Sequence, residues 1–218
     1  MAERGRRSSR PSGDDRQAAI LSTAEQLLGE RSLDDISIED LAAGAGISRP
    51  SFYFYFSSKD DVLLALLDQV IGQVQHRVAT LPRDFDIDPA AAWRRSIGVF
   101  VEVFTQHRAV AAAAITARLR NTEVHELWSK SMQTWVGYST EVILAERARG
   151  AAPEGIDARE LAAALNLMNE RVLAAAFSGE TPAVDHSDVL DVLSGIWVRS
   201  IYAHDLSHDL PHEIPHNQ

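Results

Sequence analysis

The sequence predicts an all-α fold of about nine helices, arranged as an N-terminal helix-turn-helix domain followed by a larger helical domain. Three observations predict it. From Asp14 onward, apolar residues recur at intervals of three and four along most of the chain. Ser or Asp helix-start signals and Gly or Pro stops divide this pattern into segments of helical length. No segment shows sustained strand alternation.

The elements follow in order. Ala18, Ile20, Leu21, Ala24, Leu27 and Leu28 lie at helical spacing and predict a first helix over about 15–31. Ser37, with Asp40 three residues later, reads as a capping box opening a short helix through about Ala43. Gly44 and Gly46 end it, and Ser48 caps another short helix through about Tyr55. Ser58 with Asp61 opens a fourth helix running to about Thr80, and the aspartate-rich stretch Pro82 to Pro89 reads as an internal linker. Longer helices are expected at about 90–105, 107–119, 122–149, 157–178 and 186–203. Gly150, Pro153, Gly179 and Pro182 supply their breaks, and Asp157 with Glu160 is a further N-terminal signature. The chain therefore divides into a basic arm at 1–13, expected to be disordered, domains at 14–80 and 81–204, and a His-rich tail at 205–218.

With 218 residues, 45% of them hydrophobic and 24% charged, the chain has enough apolar material to bury a core. It contains no cysteine, which excludes disulfides, thiolate catalysis, iron–sulfur clusters and cysteine-ligated zinc. No apolar run reaches the length of a membrane span and no signal-type stretch follows the basic N-terminus, so a cytoplasmic location without membrane association is expected. The net charge of −10 argues against wholesale phosphate binding by the body of the protein. The charge is uneven, however: Arg4, Arg6, Arg7 and Arg10 crowd the N-terminus, whereas residues 61–218 carry 13 basic and 21 acidic residues. Such an arm suits a nucleic-acid tail entering a minor groove or a solubilising terminus equally well. In the tail, His204, His208, His212 and His216 recur every fourth residue, which on one helix would line a metal-binding face. Pro211 and Pro215 forbid that helix, so a flexible polar terminus is preferred and no metal or cofactor is expected.

Ser37 to Lys59 is the informative stretch. Two short helices joined through Gly44-Ala45-Gly46-Ile47 follow the helix-turn-helix plan. Leu41, Ala42, Ala45, Ile47, Phe52 and Phe56 are placed to face inward. Arg49 with Tyr53, and Pro50 with Phe54, are one helical turn apart and are left on the outer side. A helix entering a major groove by its N-terminal end presents Arg49 first.

Residues 37–61, SIEDLAAGAGISRPSFYFYFSSKDD, resemble the DNA-binding domain of the TetR family: a small-residue turn, a Ser cap, an aromatic-rich recognition helix and an F-x-x-K ending. SRPSFYFYF, TAEQLL near the start and ALNLMNER late in the chain resemble one ligand-responsive repressor of that family in particular. The resemblance implies phosphate contacts from Tyr53 and Lys59, with Tyr55 at a position where the family commonly has His. Ser37 and Ser48, at helix N-termini, are further phosphate candidates. Arg49 and Ser51 are the candidates for base edges, and Pro50 and Phe54 for thymine methyl groups.

In the larger domain Trp93, Phe100 and Phe104 lie at i, i+7 and i+11, and Trp128, Met132, Trp135 and Ser139 repeat the pattern with Tyr138 beside it. Such stripes alone also describe plain core. Asn166 and Asn169 within the apolar ALNLMN favour a pocket, because buried amides need partners and apolar pockets need a few polar anchors. Trp197 is placed to close it. The resemblance implies that these positions line an apolar effector channel. An elongated neutral ligand carrying an amide or carbonyl is expected, with ionic ligands disfavoured because Lys130, the charge in the Trp128–Tyr138 stretch, points off the stripe.

Val189, Leu190, Val192, Leu193, Ile196, Trp197, Val198 and Ile201 are apolar on more than one helix face, which points to a partner helix, and the resemblance implies a homodimer through the last two helices. The expected function is a non-enzymatic, ligand-responsive repressor. As a dimer it binds palindromic double-stranded operator DNA and is released by a small hydrophobic effector. A helical-bundle metalloenzyme is the rival reading, but its inward Glu-x-x-His pairs are missing: Glu213 with His216 sits in the proline-broken tail.

Overall fold

The computed structural model describes residues 12–203. The basic arm through residue 11 and the His-rich tail from residue 204 lie outside the described residues. Within them the chain forms nine α-helices, one single-turn 3-10 helix and no strand. The helices are α1 (Gly13–Leu28), α2 (Ile38–Gly44), α3 (Arg49–Phe52), α4 (Lys59–Ala79), α5 (Pro89–Gln106), α6 (Arg108–Ala117), α7 (Thr122–Ala148), α8 (Ala158–Ser178) and α9 (Val189–Tyr202).

Local chemistry accounts for most of the boundaries. Ser12 and Asp15 form a reciprocal capping box that starts α1 earlier than its apolar periodicity indicates: the Asp15 N–H donates to Ser12 Oγ at 3.1 Å, and the Ser12 N–H to Asp15 Oδ2 at 2.7 Å. Ser37 and Asp40 do the same for α2. Ser58 Oγ accepts from the Asp61 N–H at the start of α4, and Asp157 caps α8 by accepting from Arg159 and Glu160 N–H. Gly179, at φ 66°, closes α8 in the left-handed conformation.

Two departures from the expected elements stand out. The 3-10 turn Leu33–Asp35 carries no apolar period long enough to announce it. Helix α3 covers only Arg49–Phe52, because the chain beyond it tightens into i→i+3 bonds, Phe54 N–H to Ser51 O and Tyr55 N–H to Phe52 O.

The described chain forms two compact units, 12–73 with 104–128 and 74–103 with 129–203, so α4, α5 and α7 each contribute to both and α6 belongs with the N-terminal helices. A break near residue 80 does not coincide with this division, because helical periodicity shows which face of a helix is buried and not which neighbour buries it.

In the first unit Ile20, Leu21, Leu41, Phe52, Leu63 and Val110 are fully or almost fully buried. The turn between α2 and α3 requires both of its glycines. A Cβ on Gly44 would lie 2.3 Å from Thr23 Cγ2 on α1, and Gly46 has φ +67°. In the second unit Trp93, Ile143, Leu193 and Ile201 form the centre of the core. Phe85, within the stretch expected to be a linker, is buried and meets Trp93 edge-on with centroids 5.0 Å apart. Glu146 is only 3% exposed but fully satisfied: it binds Arg149 through both oxygens, at 2.7 and 2.6 Å, and accepts from the Tyr202 hydroxyl at 2.9 Å. Burial and the Glu146 carboxylate push the Tyr202 phenol above its ordinary range, so Tyr202 donates to Glu146 while accepting from the Trp93 indole at 3.2 Å.

Candidate functional site

Helix α3 of the first unit presents an unusual surface. Phe54 is 86% exposed and Tyr53 47%, although an aromatic side chain in a folded domain is ordinarily covered. Phe52 and Phe56, on the opposite side, are buried and hold the short helix down. Arg49 and Pro50 are exposed and Ser51 and Tyr55 half-buried, so the expected outer side chains stay outward although Tyr53, Phe54 and Tyr55 lie in the turn after α3. Arg49 is held from two sides, by an ion pair to Glu39 on α2 and a 3.4 Å hydrogen bond from its guanidinium to the Tyr53 hydroxyl. Glu39 was not among the expected site residues, and no local motif marks it: its relation to Arg49 exists only once α2 and α3 have packed.

The hydroxyls of Ser37 and Ser48 are used as helix caps. Lys59 has a structural role that its sequence position did not announce. Its ammonium donates to the carbonyls of Leu33, Asp34 and Ile36 at 2.7, 2.9 and 3.1 Å, so all three protons are committed to tying down the 3-10 turn. In this structure the ammonium is therefore engaged by the turn, whose Leu33 carbonyl also accepts from the Ile36 N–H at 3.3 Å.

The second unit contains an open cavity of about 440 Å³. Of the ten expected ligand residues, Trp93, Phe100, Trp135, Tyr138, Asn166, Asn169 and Trp197 line it. Trp93 packs against Trp197 with centroids 4.8 Å apart, and Phe100 meets Trp135 edge-on at 4.9 Å. Asn169 Oδ1 accepts from the Trp197 indole at 2.9 Å; an indole N–H only donates, which fixes the amide orientation and keeps Asn169 Nδ2 as the spare donor. Asn166 uses its Nδ2 on Ser139 Oγ and the Ala162 carbonyl, at 3.2 and 2.8 Å, and keeps its carbonyl oxygen as a spare acceptor. The cavity therefore combines aromatic walls with a spare amide donor on Asn169 and a spare amide acceptor on Asn166, and Gln75 brings a third amide to the lining.

Phe104, Trp128 and Met132 do not line it. Phe104 and Trp128 belong to the first unit, where the Arg118 guanidinium stacks 4.3 Å from the Trp128 ring centroid, and Met132 is buried as core. The reason is axial. Phe104 lies one turn beyond Phe100, and Trp128 two turns before Trp135, past the ends of the lining on their helices. Arg83, which sequence reasoning passed over as part of a linker, does line the cavity and stands over the Tyr138 ring at 5.8 Å. That removes the ground for disfavouring ionic ligands: the charge enters from the segment before α5, not from α7.

Comparison with known proteins gives two family matches. Residues 20–66 match the bacterial regulatory proteins of the tetR family, and residues 93–203 match the C-terminal domain of the transcriptional regulator EthR. The HTH-type transcriptional regulator EthR of Mycobacterium tuberculosis is 57% identical over 203 residues, covering 93% of this chain and 94% of that protein. Its counterpart in Mycolicibacterium smegmatis is 49% identical over 199 residues, covering 91% and 92%. Among solved structures, a transcriptional regulator from Saccharomonospora viridis in complex with choline aligns with a TM-score of 0.73 at 19% identity, over 88% of this chain and all of that one, which establishes likeness of fold alone.

Proposed function

Because the chain belongs to the TetR family of transcriptional regulators, we propose that it is an effector-released repressor that binds a palindromic operator as a homodimer. Residues 14–80 form the DNA-binding domain, residues 81–204 the effector and dimerisation domain. The exposed face of α3 enters the major groove. Arg49 and Ser51 address base edges, Pro50 and Phe54 contact thymine methyl groups, and Tyr53 and Tyr55 hold the flanking phosphates. The observation that carries this reading is the exposure of Phe54 and Tyr53 beside Arg49, on α3 and the turn that follows it, whose opposite side is clamped by Phe52 and Phe56.

The effector occupies the cavity of the second unit. Its apolar body is buried by Trp93, Phe100, Trp135 and Trp197, and its polar group exchanges hydrogen bonds with Asn169 Nδ2 and Asn166 Oδ1. Dimerisation uses α8 and α9, where Leu167, Val192 and Ile196 remain exposed although the opposite faces of both helices are core. The test is gel-shift on the intergenic DNA flanking the gene. A salt-sensitive, sequence-specific complex is expected, and it is lost when Arg49 and Tyr53 are both replaced by alanine. Retention of that complex by the double variant overturns the α3 assignment.

A further inference from the structure

The cavity carries a charge that an apolar pocket does not need. Of all the side chains that line it, Arg83 is the single formally charged one, and no acid faces it there. Nothing else in the described structure neutralises Arg83. The neighbouring Asp84 is committed to Arg95, and no carboxylate among the described residues lies within ion-pair distance of the Arg83 guanidinium. Its recorded contact is with the π-face of Tyr138, at 5.8 Å from the centroid. Stacking of this kind orients the guanidinium but consumes none of its five donors.

Arg83 and Tyr138 also line a second cavity of about 370 Å³. The acids Asp86, Glu141 and Glu146 line that one, and its other arginine, Arg149, is already bound to Glu146. The two spaces therefore differ in sign. The first is aromatic with one unspent cation at its limit, while the second is predominantly acidic. An anion is attracted as far as Arg83 and repelled beyond it.

Building on the effector reading above, we propose that the effector is a slender apolar monocarboxylate whose carboxylate stops at Arg83 and whose tail lies among Trp93, Phe100, Trp135 and Trp197. Asn166 and Asn169 serve polar substituents further along the chain, so two anchors at separate places fix both the head and the position of the body. Arg83 determines specificity for the charge of the effector and Asn169 for its functional groups. The guanidinium is itself exposed, so the gain from the charge is moderate and salt-dependent.

The experiment uses the full chain and three probes of one length, decanoate, decanamide and decylamine, measured by thermal shift and calorimetry at low and high salt. Wild type is expected to bind decanoate about five- to tenfold more tightly than decanamide at low salt, with decylamine weakest. Arg83→Gln is expected to abolish the preference for decanoate, so that the variant binds decanoate and decanamide equally. Arg83→Lys restores part of it, and high salt shrinks it. Because Arg83 is exposed, both variants are expected to keep the wild-type melting temperature. Equal binding of decanoate and decanamide to wild type, or a decanoate preference that survives Arg83→Gln, overturns the proposal while leaving the effector pocket standing. If no probe of either charge binds wild type, the effector reading of the cavity fails and the proposal fails with it.

Discussion

Lys59 shows how one side chain changes its meaning when its surroundings are known. Three carbonyls converge on its ammonium, and Lys59→Ala removes the donor from the Asp34 and Ile36 carbonyls while Leu33 keeps the N–H of Ile36. A loss of about 2 kcal/mol in stability is expected, within the ordinary range for hydrogen bonds to a charged group. The measurement is urea unfolding beside operator affinity. A variant that binds DNA more weakly with an unchanged unfolding midpoint would reinstate the phosphate role. Arg49 presents a second case. Its partner Glu39 is a carboxylate at the surface proposed to meet DNA. Glu39→Gln should raise affinity for all DNA by roughly two- to fivefold at low salt, since it removes a repulsive charge and releases the guanidinium. Arg49→Ala should cost roughly 1–3 kcal/mol, concentrated at one base pair of the operator. If Glu39→Gln weakens specific binding instead, Glu39 is positioning Arg49 for its base rather than competing for it. Neither role of these residues was legible beforehand, because each depends on a partner 10 or more positions away, Glu39 for Arg49 and residues 33–36 for Lys59.

Elements were far more legible than contacts, and the reason is the range over which each is decided. Helix starts depend on a Ser or Asp and the residue three positions on, as at Ser37 with Asp40, Ser58 with Asp61 and Asp157 with Glu160, and these can be read directly. The same signature at Ser12 and Asp15 was available but stood apart from the apolar periodicity that drew attention to α1. The cavity was legible in part because Trp93 and Phe100, and Trp135 with Tyr138, lie within two turns of one another. Phe104 and Trp128 share those faces but fall past the ends of the lining, in the first unit. The α2–α3 turn makes the strongest claim at this scale, because Gly44 lets α1 approach so closely that a methyl group would collide with Thr23. Gly44→Ala should therefore cost about 1–3 kcal/mol by overpacking, despite alanine's better helix propensity. Adding Thr23→Ala removes the colliding Cγ2 and should recover most of the loss. A single variant as stable as wild type would show that the two helices separate without penalty.

At the scale of the whole molecule the net charge of −10 sits uneasily with DNA binding unless the contacts are few and localised. The proposed palindrome recognition by two copies would meet that demand. With Leu167, Val192 and Ile196 exposed on α8 and α9, sedimentation at micromolar concentration should report twice the chain mass without DNA, and Ile196→Asp should shift it toward one. Regulation imposes a stricter requirement. An effector that bound the operator-competent and operator-released conformers equally would shift nothing, however tightly it bound. If filling the cavity weakens operator binding by some factor, operator DNA must weaken effector binding by the same factor, since the coupling free energy is a property of the pair. Couplings of this kind are typically about 5- to 150-fold. The check is to titrate a cavity-binding probe into the free protein and into the operator complex, and to titrate operator with and without saturating probe. Equal factors in both directions are expected for wild type. Asn169→Ala, which removes the spare amide donor and the partner of Trp197, should bind the probe more weakly while binding the operator as wild type does. A probe that binds the cavity and leaves operator affinity unchanged would show that the cavity has no regulatory role. If Asn169→Ala loses operator binding on its own, then the amide maintains the fold through Trp197, and its role as an effector anchor has to be abandoned.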